Sequence, residues 1–405
     1  MPAPRFDALI LNAPLRQSLM AVRSLGRRGL RVAAAGASLE APTFASRYCA
    51  EGFVFPAEED GDAYLTVLER WLEEVGARVL ITSHDGTIAL VRKHRPRLEQ
   101  LTRIALAAEP GLAVAVNKER TLDAAGRLGI RTPREAVLRS RAELDAAIST
   151  IGFPAVVKPS ESWLGDDRAG HWVGPTLVVN AGEAADVVDA LTESGGSALF
   201  QQYLAGRREA VSFLYAAGRV RARFAQWAER TRPPLGGESV LRQSIPVPED
   251  IGGQAEALIR AIDLEGYSEV EFRRDTAGVP YLMEINPRLS ASVEVAVRAG
   301  VDFPALLFQW AAGLPVDEAM SYRPGGWMRH LGGDVETTLA ALEQRGRPGI
   351  PAPGRVAADF ALSFFRGAGY DYVDWRDPRP AMRATARFSR GLFERILSRA
   401  MRAVS

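Results

Sequence analysis

The residues best suited to chemistry gather in residues 269–288, EVEFRRDTAGVPYLMEINPR. Two segments of alternating polarity flank a turn-forming centre, Asp275-Thr276-Ala277-Gly278, which is the pattern of a β-hairpin. Side chains alternate along a strand, so Glu269, Glu271 and Arg273 share one face of the first segment and Val270 and Phe272 the other. On the second segment the same rule groups Leu282, Glu284 and Asn286 opposite Met283 and Ile285. Pairing the two strands brings Glu271, Glu284 and Asn286 together. Two carboxylates and an amide carbonyl form an oxygen-rich site of the type Mg²⁺ takes, with nucleotide phosphates supplying further ligands. Arg288, on the same parity, reaches a phosphate with two parallel hydrogen bonds. A solvated charged sheet face has similar residues, but the tight E-x-N-x-R array after a matched acidic strand favours a metal–nucleotide site.

Several elements must position this array. Before it, strand and helix patterns alternate: strands at 7–11, 31–35, 53–55 and 79–82, helices at 18–29 and 63–75. That alternation predicts an open parallel sheet with ligand loops at the carboxyl ends of its strands, at Asn12 and at Ser83 to Asp85. For His84 and Asp85, substrate contact and a capped helix start are equally good readings. No GxGxxG follows the first strand, so a dinucleotide fingerprint is absent. Further on, the apolar strand 153–159 carries Lys158 at its exit and opens a polar loop, 160–174, whose amides suit phosphate. The Arg- and Gly-rich stretch 228–245, too polar for core, reads equally as a disordered connection or as a lid over an anionic substrate, with Arg232 or Arg242 as a carboxylate clamp.

Composition narrows the class. A chain of 405 residues with 47% hydrophobic and 24% charged residues is ordinary for two or three globular domains. A formal net charge of +1 argues against a general nucleic-acid binder. The single cysteine, Cys49, excludes an internal disulfide and a cysteine-based zinc cluster, which suits a reducing cytoplasmic setting. No apolar run is long enough for a transmembrane segment, and residues 1–7 lack a secretory signature. The C-terminal end, residues 388–404, is a basic amphipathic helix, for which docking on its own body or a homodimer partner outweighs peripheral membrane contact.

Taken together, Asn117-Lys118, FPAVVKP at 153–159, FQQYLAGRRE at 200–209, the acidic strand 269–272 and EINPR at 284–288 resemble the ATP-grasp ligases from about residue 117 to 300. The preceding segment resembles their pre-ATP-grasp domain. The fold class this implies is α/β and α+β multidomain: a Rossmann-like pre-ATP-grasp domain (1–108), a small lobe (109–197), a large lobe with the Mg/ATP site (198–325) and a C-terminal extension (326–405). The resemblance assigns Lys118 and Lys158 to ATP phosphates, the hinge Gln201, Gln202, Tyr203 and Leu204 to adenine, and Glu209 to ribose. Glu271, Glu284 and Asn286 become ligands of Mg²⁺ (two ions, with Mn²⁺ as a substitute), and Arg288 stabilises the transferring phosphoryl group.

The implied activity is an ATP-dependent carboxylate–amine ligase working through an acyl phosphate and releasing ADP and phosphate. Small carboxylates and amines, amino acids among them, are the expected substrates. The alternatives are an ATP-grasp enzyme of carbamoyl-phosphate or carboxylase type and a non-catalytic ATP-binding module. Two departures stand out: Gln201 replaces the glutamate common in the hinge, and 161–174 lacks the glycine–serine phosphate loop of D-alanine–D-alanine ligases.

Overall fold

Buried apolar strands alternate with amphipathic helices at the N-terminal end, and a parallel sheet results. A computed structural model describes residues 4–165, 169–193 and 196–404. Strands β1 (Phe6–Ile10), β2 (Val32–Gly36), β3 (Glu51–Val54), β4 (Ala77–Ile81) and β5 (Arg103–Ile104) pair in the order β3-β2-β1-β4-β5. Asn12 adopts a left-handed φ of 58°, and its Oδ1 accepts from Ser83 N at 3.2 Å and Thr87 Oγ1 at 3.0 Å. It therefore ties together the loops after β1 and β4 instead of presenting itself to a ligand. The helix Asp85–Lys93 starts at the carboxyl end of β4, which aims its first residue out of the sheet.

The next sheet combines β6 (Glu135–Leu138) and β7 (Ala155–Pro159) with β10 (Thr176–Val178) and β11 (Ala198–Gln202), in the order β10-β7-β11-β6. Between β7 and β10 a separate two-stranded hairpin forms from β8 (Trp163–Gly165) and β9 (Gly170–Trp172). Asp166, Asp167 and Arg168, at its tip, lie outside the described residues. On the small sheet Ala198 and Phe200 pack with Val157 against the helices Leu144–Ile151 and Ala181–Thr192. By alternation, Lys158, Leu199 and Gln201 point the other way, into the cleft.

The third sheet is seven-stranded: β12 (Arg208–Ala216), β13 (Arg219–Arg232), β14 (Glu238–Ile245), β15 (Gly266–Arg274), β16 (Pro280–Asn286), β17 (Trp327–Arg329) and β18 (Gly369–Tyr370), ordered β16-β15-β12-β13-β14-β17-β18. Val211, Phe213, Val270, Phe272 and Ile285 bury its outer face against the helix Glu249–Ala261, leaving the polar face to the cleft. The C-terminal region does more than extend the chain, because β17 and β18 complete this sheet. Residues 228–245 are mostly strand, not a disordered connection.

Internal ion pairs bind the C-terminal segment to both large units. Asp371 accepts from Arg242 on β14 and from Arg16, at 2.5 Å, in the helix Arg16–Arg27. Arg232 pairs with Glu238 at 2.6 Å and Glu336 at 2.5 Å, and Arg230 with Asp334 at 2.6 Å. The arginines of 228–245 are thus engaged within the chain, and Arg242 and Arg232 are not free carboxylate clamps. The helix Arg379–Val404 docks on the chain's own body, with Arg390 on Glu40 at 2.7 Å and Phe388 beside Gly332. Side chains beyond Arg395, including Ile396, Leu397, Arg399, Met401 and Arg402, lie outside the described residues.

Removing Asp371 leaves the fully buried Arg242 without its countercharge, which costs several kcal/mol where an exposed pair costs under about 1 kcal/mol. Asp371→Ala should lower unfolding free energy by about 3–5 kcal/mol in a urea titration. Asp123→Ala, which breaks the exposed pair with Arg127, should change it by less than about 1 kcal/mol.

Candidate functional site

The turn that creates the site is locally encoded. Asp275 Oδ1 accepts from Ala277 N and Val279 N, both at 2.9 Å, and Gly278 takes the left-handed φ of 81° that closes the hairpin. In the resulting register Glu271 faces Glu284 and Glu269 faces Asn286. All four side chains occupy the cleft face. A register shift between Glu271 and Phe272 places one extra residue, Met283, in β16. Consequently Leu282 turns to the outer core with Phe272 and does not share the face of Glu284, contrary to simple alternation.

The metal-type donors converge as expected. Asn286 Nδ2 donates to Glu271 Oε1 at 3.1 Å and to Glu284 Oε1 at 3.4 Å. Arg208, from β12, holds Glu271 with two hydrogen bonds, its Nε at 2.8 Å from Oε2. Burial pushes the Glu271 carboxyl up to about 7; Arg208 opposes this, and the neighbouring Glu284 charge adds to it. For Glu284 burial works in the same sense, but Lys118, Lys158 and Arg208 outweigh it and hold its carboxyl below the usual value. Among the described residues no group of three or more His, Cys, Asp and Glu is placed to hold a metal unaided. The donor set fits Mg²⁺ bound together with phosphate: two carboxylates and one amide leave several positions to a polyphosphate and water.

Three cations surround this pair from different parts of the chain. Lys118 begins the helix Lys118–Arg127, whose N-cap Asn117 accepts from Arg120 N at 3.1 Å. Its Nζ lies 2.9 Å from Ser162 Oγ and 3.9 Å from Glu284 Oε2. Lys158 is 4% exposed and makes no hydrogen bond or ion pair among the described residues. Burial lowers its ammonium to about 8, with Glu284 opposing that and Lys118 reinforcing it. Such an ammonium, in a cleft beside carboxylates and a second lysine, fits an incoming anion. Arg288 grips Asp85 from the N-terminal sheet, Nε to Oδ1 at 2.6 Å and Nη2 to Oδ2 at 3.2 Å. Burial opposes ionisation of Asp85, yet Arg288 holds it far below the ordinary carboxylate value. The capped helix start is what the structure shows: His84 is the N-cap, its Nδ1 accepting from Gly86 N at 3.3 Å, and Asp85 in the first turn takes a role neither reading gave it, anchoring this arginine.

The hinge residues divide. Gln201 is fully buried on the cleft face, donating to Glu135 Oε2 at 2.9 Å while its Oε1 has no partner. Gln202 turns its side chain to Arg134, with Oε1 at 3.3 Å from Nε, so only its backbone borders the hinge. Tyr203 lies under the Arg273 guanidinium at 5.5 Å, and Leu204 is buried. Glu209 is not brought to the cleft. It pairs in register with Phe272, on the outer face, and its carboxylate takes Arg274 Nε at 2.8 Å. Arg208, one residue earlier, is the side chain that enters the cleft, so the assignment of ribose binding to Glu209 is corrected. Alternation from Ala210 opposite Glu271 would have pointed to Arg208.

The β8–β9 hairpin covers the site. Trp172 Nε1 donates to Asp85 Oδ2 at 3.1 Å, and Gly170 N to Glu59 O at 3.2 Å. Trp163 lies so close over Gly86 that a Cβ there would sit 2.6 Å from its ring. The hairpin thus packs on the N-terminal sheet, and Gly86 is the residue that admits it.

A cleft between two α+β sheets, roofed by a hairpin and flanked by a parallel-sheet domain, is the ATP-grasp architecture. Residues 197–331 match the family model described as "ATP-grasp in the biosynthetic pathway with Ter operon". The chain is 27% identical over 213 residues to the D-alanine–D-alanine ligase of Pseudomonas fluorescens, a match covering 48% of this chain and 62% of that protein. It therefore spans less than two thirds of that relative's length. Among solved structures it resembles the biotin carboxylase–β,γ-ATP complex of Campylobacter jejuni (TM-score 0.64, 16% identity, 80% of this chain and 74% of that one). It also resembles the L-amino acid ligase of Bacillus licheniformis (TM-score 0.59, 20% identity, 78% and 76%).

Because bound phosphate stabilises the charged form of Lys158, nucleotide binding above about pH 8 must take up a proton. ATP affinity should then fall as pH rises from 8 toward 10, by up to about tenfold per unit. Lys158→Arg should flatten that dependence; calorimetric titration in buffers of different ionisation enthalpy measures both.

Proposed function

We propose that this protein is an ATP-dependent carboxylate–amine ligase that binds Mg²⁺·ATP in the cleft and acts on small carboxylate and amine substrates in the cytoplasm. The observation that carries the proposal is the convergence of Glu271, Glu284 and Asn286 beside the unpartnered Lys158 and the nearby Lys118. The relationship to D-alanine–D-alanine ligases supports amide or peptide bond formation. The accompanying domain division is 1–108, 109–197 and a large lobe from 198, with 326–405 completing its sheet.

A carboxylate resists nucleophiles because attack adds charge to an anionic group. Transfer of the ATP γ-phosphoryl group to a carboxylate oxygen gives an acyl phosphate, whose phosphate can leave. An amine then attacks the carbonyl carbon, the C–O bond to phosphate breaks, and amide, ADP and phosphate are released. Mg²⁺, held by Glu271, Glu284 and Asn286, would offset phosphate charge. Lys118 and Lys158 neutralise phosphate oxygens, and Gln201 with the 201–204 backbone receives the base. Arg288, fixed by Asp85, is aimed at the group in transfer and needs no reorganisation during the step. The β8–β9 hairpin excludes water, which would otherwise hydrolyse the acyl phosphate.

Glu284→Gln should lower substrate-dependent ADP release at least about 100-fold while the melting temperature stays close to wild type. The assay is coupled ADP release over small acids paired with amines, with product mass read in parallel. Near-normal turnover in this variant removes the metal assignment, and ADP release driven by bicarbonate instead of an organic acid replaces the ligase reading with a carboxylating one.

A further inference from the structure

Next to the Glu271–Glu284 pair lies a carboxylate to which neither the resemblance nor the mechanism gives a task. Glu269 faces Asn286 across the hairpin and is 3% exposed. Its Oε2 accepts from Gln226 Nε2 at 2.8 Å and Ser212 Oγ at 3.1 Å. Its Oε1 accepts no hydrogen bond, and no Lys, Arg or His forms an ion pair with Glu269 among the described residues. A carboxylate taken out of water without a contacting cation is costly, and such groups are ordinarily paired.

A second acceptor stands beside it. Gln226, 5% exposed, spends its Nε2 on Glu269 and, at 2.6 Å, on Ser292 Oγ. Its Oε1 is buried and has no partner. The local chemistry is therefore one carboxylate oxygen, Glu269 Oε1, and one amide oxygen, Gln226 Oε1, that lack a donor. A protonated primary amine has three N–H donors, no acceptor and one positive charge, which is the complement. Mg²⁺ suits the place poorly, because one carboxylate with an oxygen already taken up by two hydrogen bonds offers too few ligands for an octahedron.

Position supplies the rest. The Glu269–Asn286 pair is the next cleft-facing rung after Glu271–Glu284, two residues and about 7 Å along the strands. We propose that Glu269, held by Gln226 and Ser212, forms a binding subsite for the ammonium group of an α-amino acid whose carboxylate is the one activated. This inference rests on the ligase reading above for the fate of the carboxylate, and on Glu269 alone for the preference.

The test is calorimetric titration of the full chain, saturated with Mg²⁺ and a non-hydrolysable ATP analogue. The probes are L- and D-α-amino acids against 2-hydroxy acids of the same side chain, such as alanine against lactate and phenylalanine against phenyllactate. Wild type should bind its best amino acid at least about tenfold tighter than the matching hydroxy acid, the scale of one charge-assisted hydrogen bond. Glu269→Gln should reduce that preference to under about threefold, and Glu269→Asp, which keeps the charge, should retain part of it. Affinity for the ATP analogue and the melting curve report whether each variant is folded. Equal binding of amino and hydroxy acids, no binding of any amino acid, or an unchanged preference in folded Glu269→Gln overturns the proposal. Amino-acid binding through Glu269 without ADP release from ATP keeps the subsite and sinks the ligase reading; ADP release driven by acids lacking an amino group does the reverse.

Discussion

Glu271 and Glu284 stand on one rung of a hairpin that faces the cleft, where two negative charges repel and Glu271 is buried. Their coexistence needs positive charge close by, and the chain delivers it from separate elements. Arg208 comes from the adjacent strand of the same sheet, Lys158 from the small sheet, and Lys118 from the helix that leads into the small lobe. Together they hold the Glu284 carboxyl below its ordinary value, while burial still lifts that of Glu271 to about 7. The positions of the two lobes are thereby tied to the electrostatics of the cleft.

The same logic extends to the N-terminal sheet. Asp85 accepts from Arg288 and from Trp172 of the β8–β9 hairpin, so three structural units meet at one carboxylate. Closure of the hairpin and orientation of the arginine share that anchor. A glycine beside it, Gly86, leaves room for the Trp163 ring. The Arg16–Asp371–Arg242 cluster fastens the C-terminal segment to the units flanking the cleft. Its residues are structural countercharges for each other, and Arg230 and Arg232 are likewise taken up by Asp334, Glu238 and Glu336, so the arginines at 230–242 are engaged within the chain.

Much of the site was legible because strand alternation is strict and the turn chemistry is local. Glu271, Glu284 and Asn286 meet as period-two spacing requires, and Lys158 points to the cleft as the exit residue of an apolar strand should. The errors came where parity shifts or partners are distant. Met283 adds a residue to β16, which moves Leu282 to the core, and a one-residue difference puts Arg208 rather than Glu209 in the cleft. The partners of Arg230 and Arg242, Asp334 and Asp371, lie more than 100 residues further along, beyond any local pattern. Strands as short as β17 and β18 have no periodicity of their own; β17 exists because β14 offers an edge, and β18 because β17 does.

The central claim is that the hairpin carboxylates bind a divalent ion only together with a nucleotide's phosphates. Titration of Mn²⁺ followed by electron paramagnetic resonance, with and without a non-hydrolysable ATP analogue, addresses it most directly. Tight Mn²⁺ uptake should occur only in the ternary complex and be lost in Glu284→Gln. Uptake that is the same in wild type and Glu284→Gln, or that is equally tight without nucleotide, would contradict it.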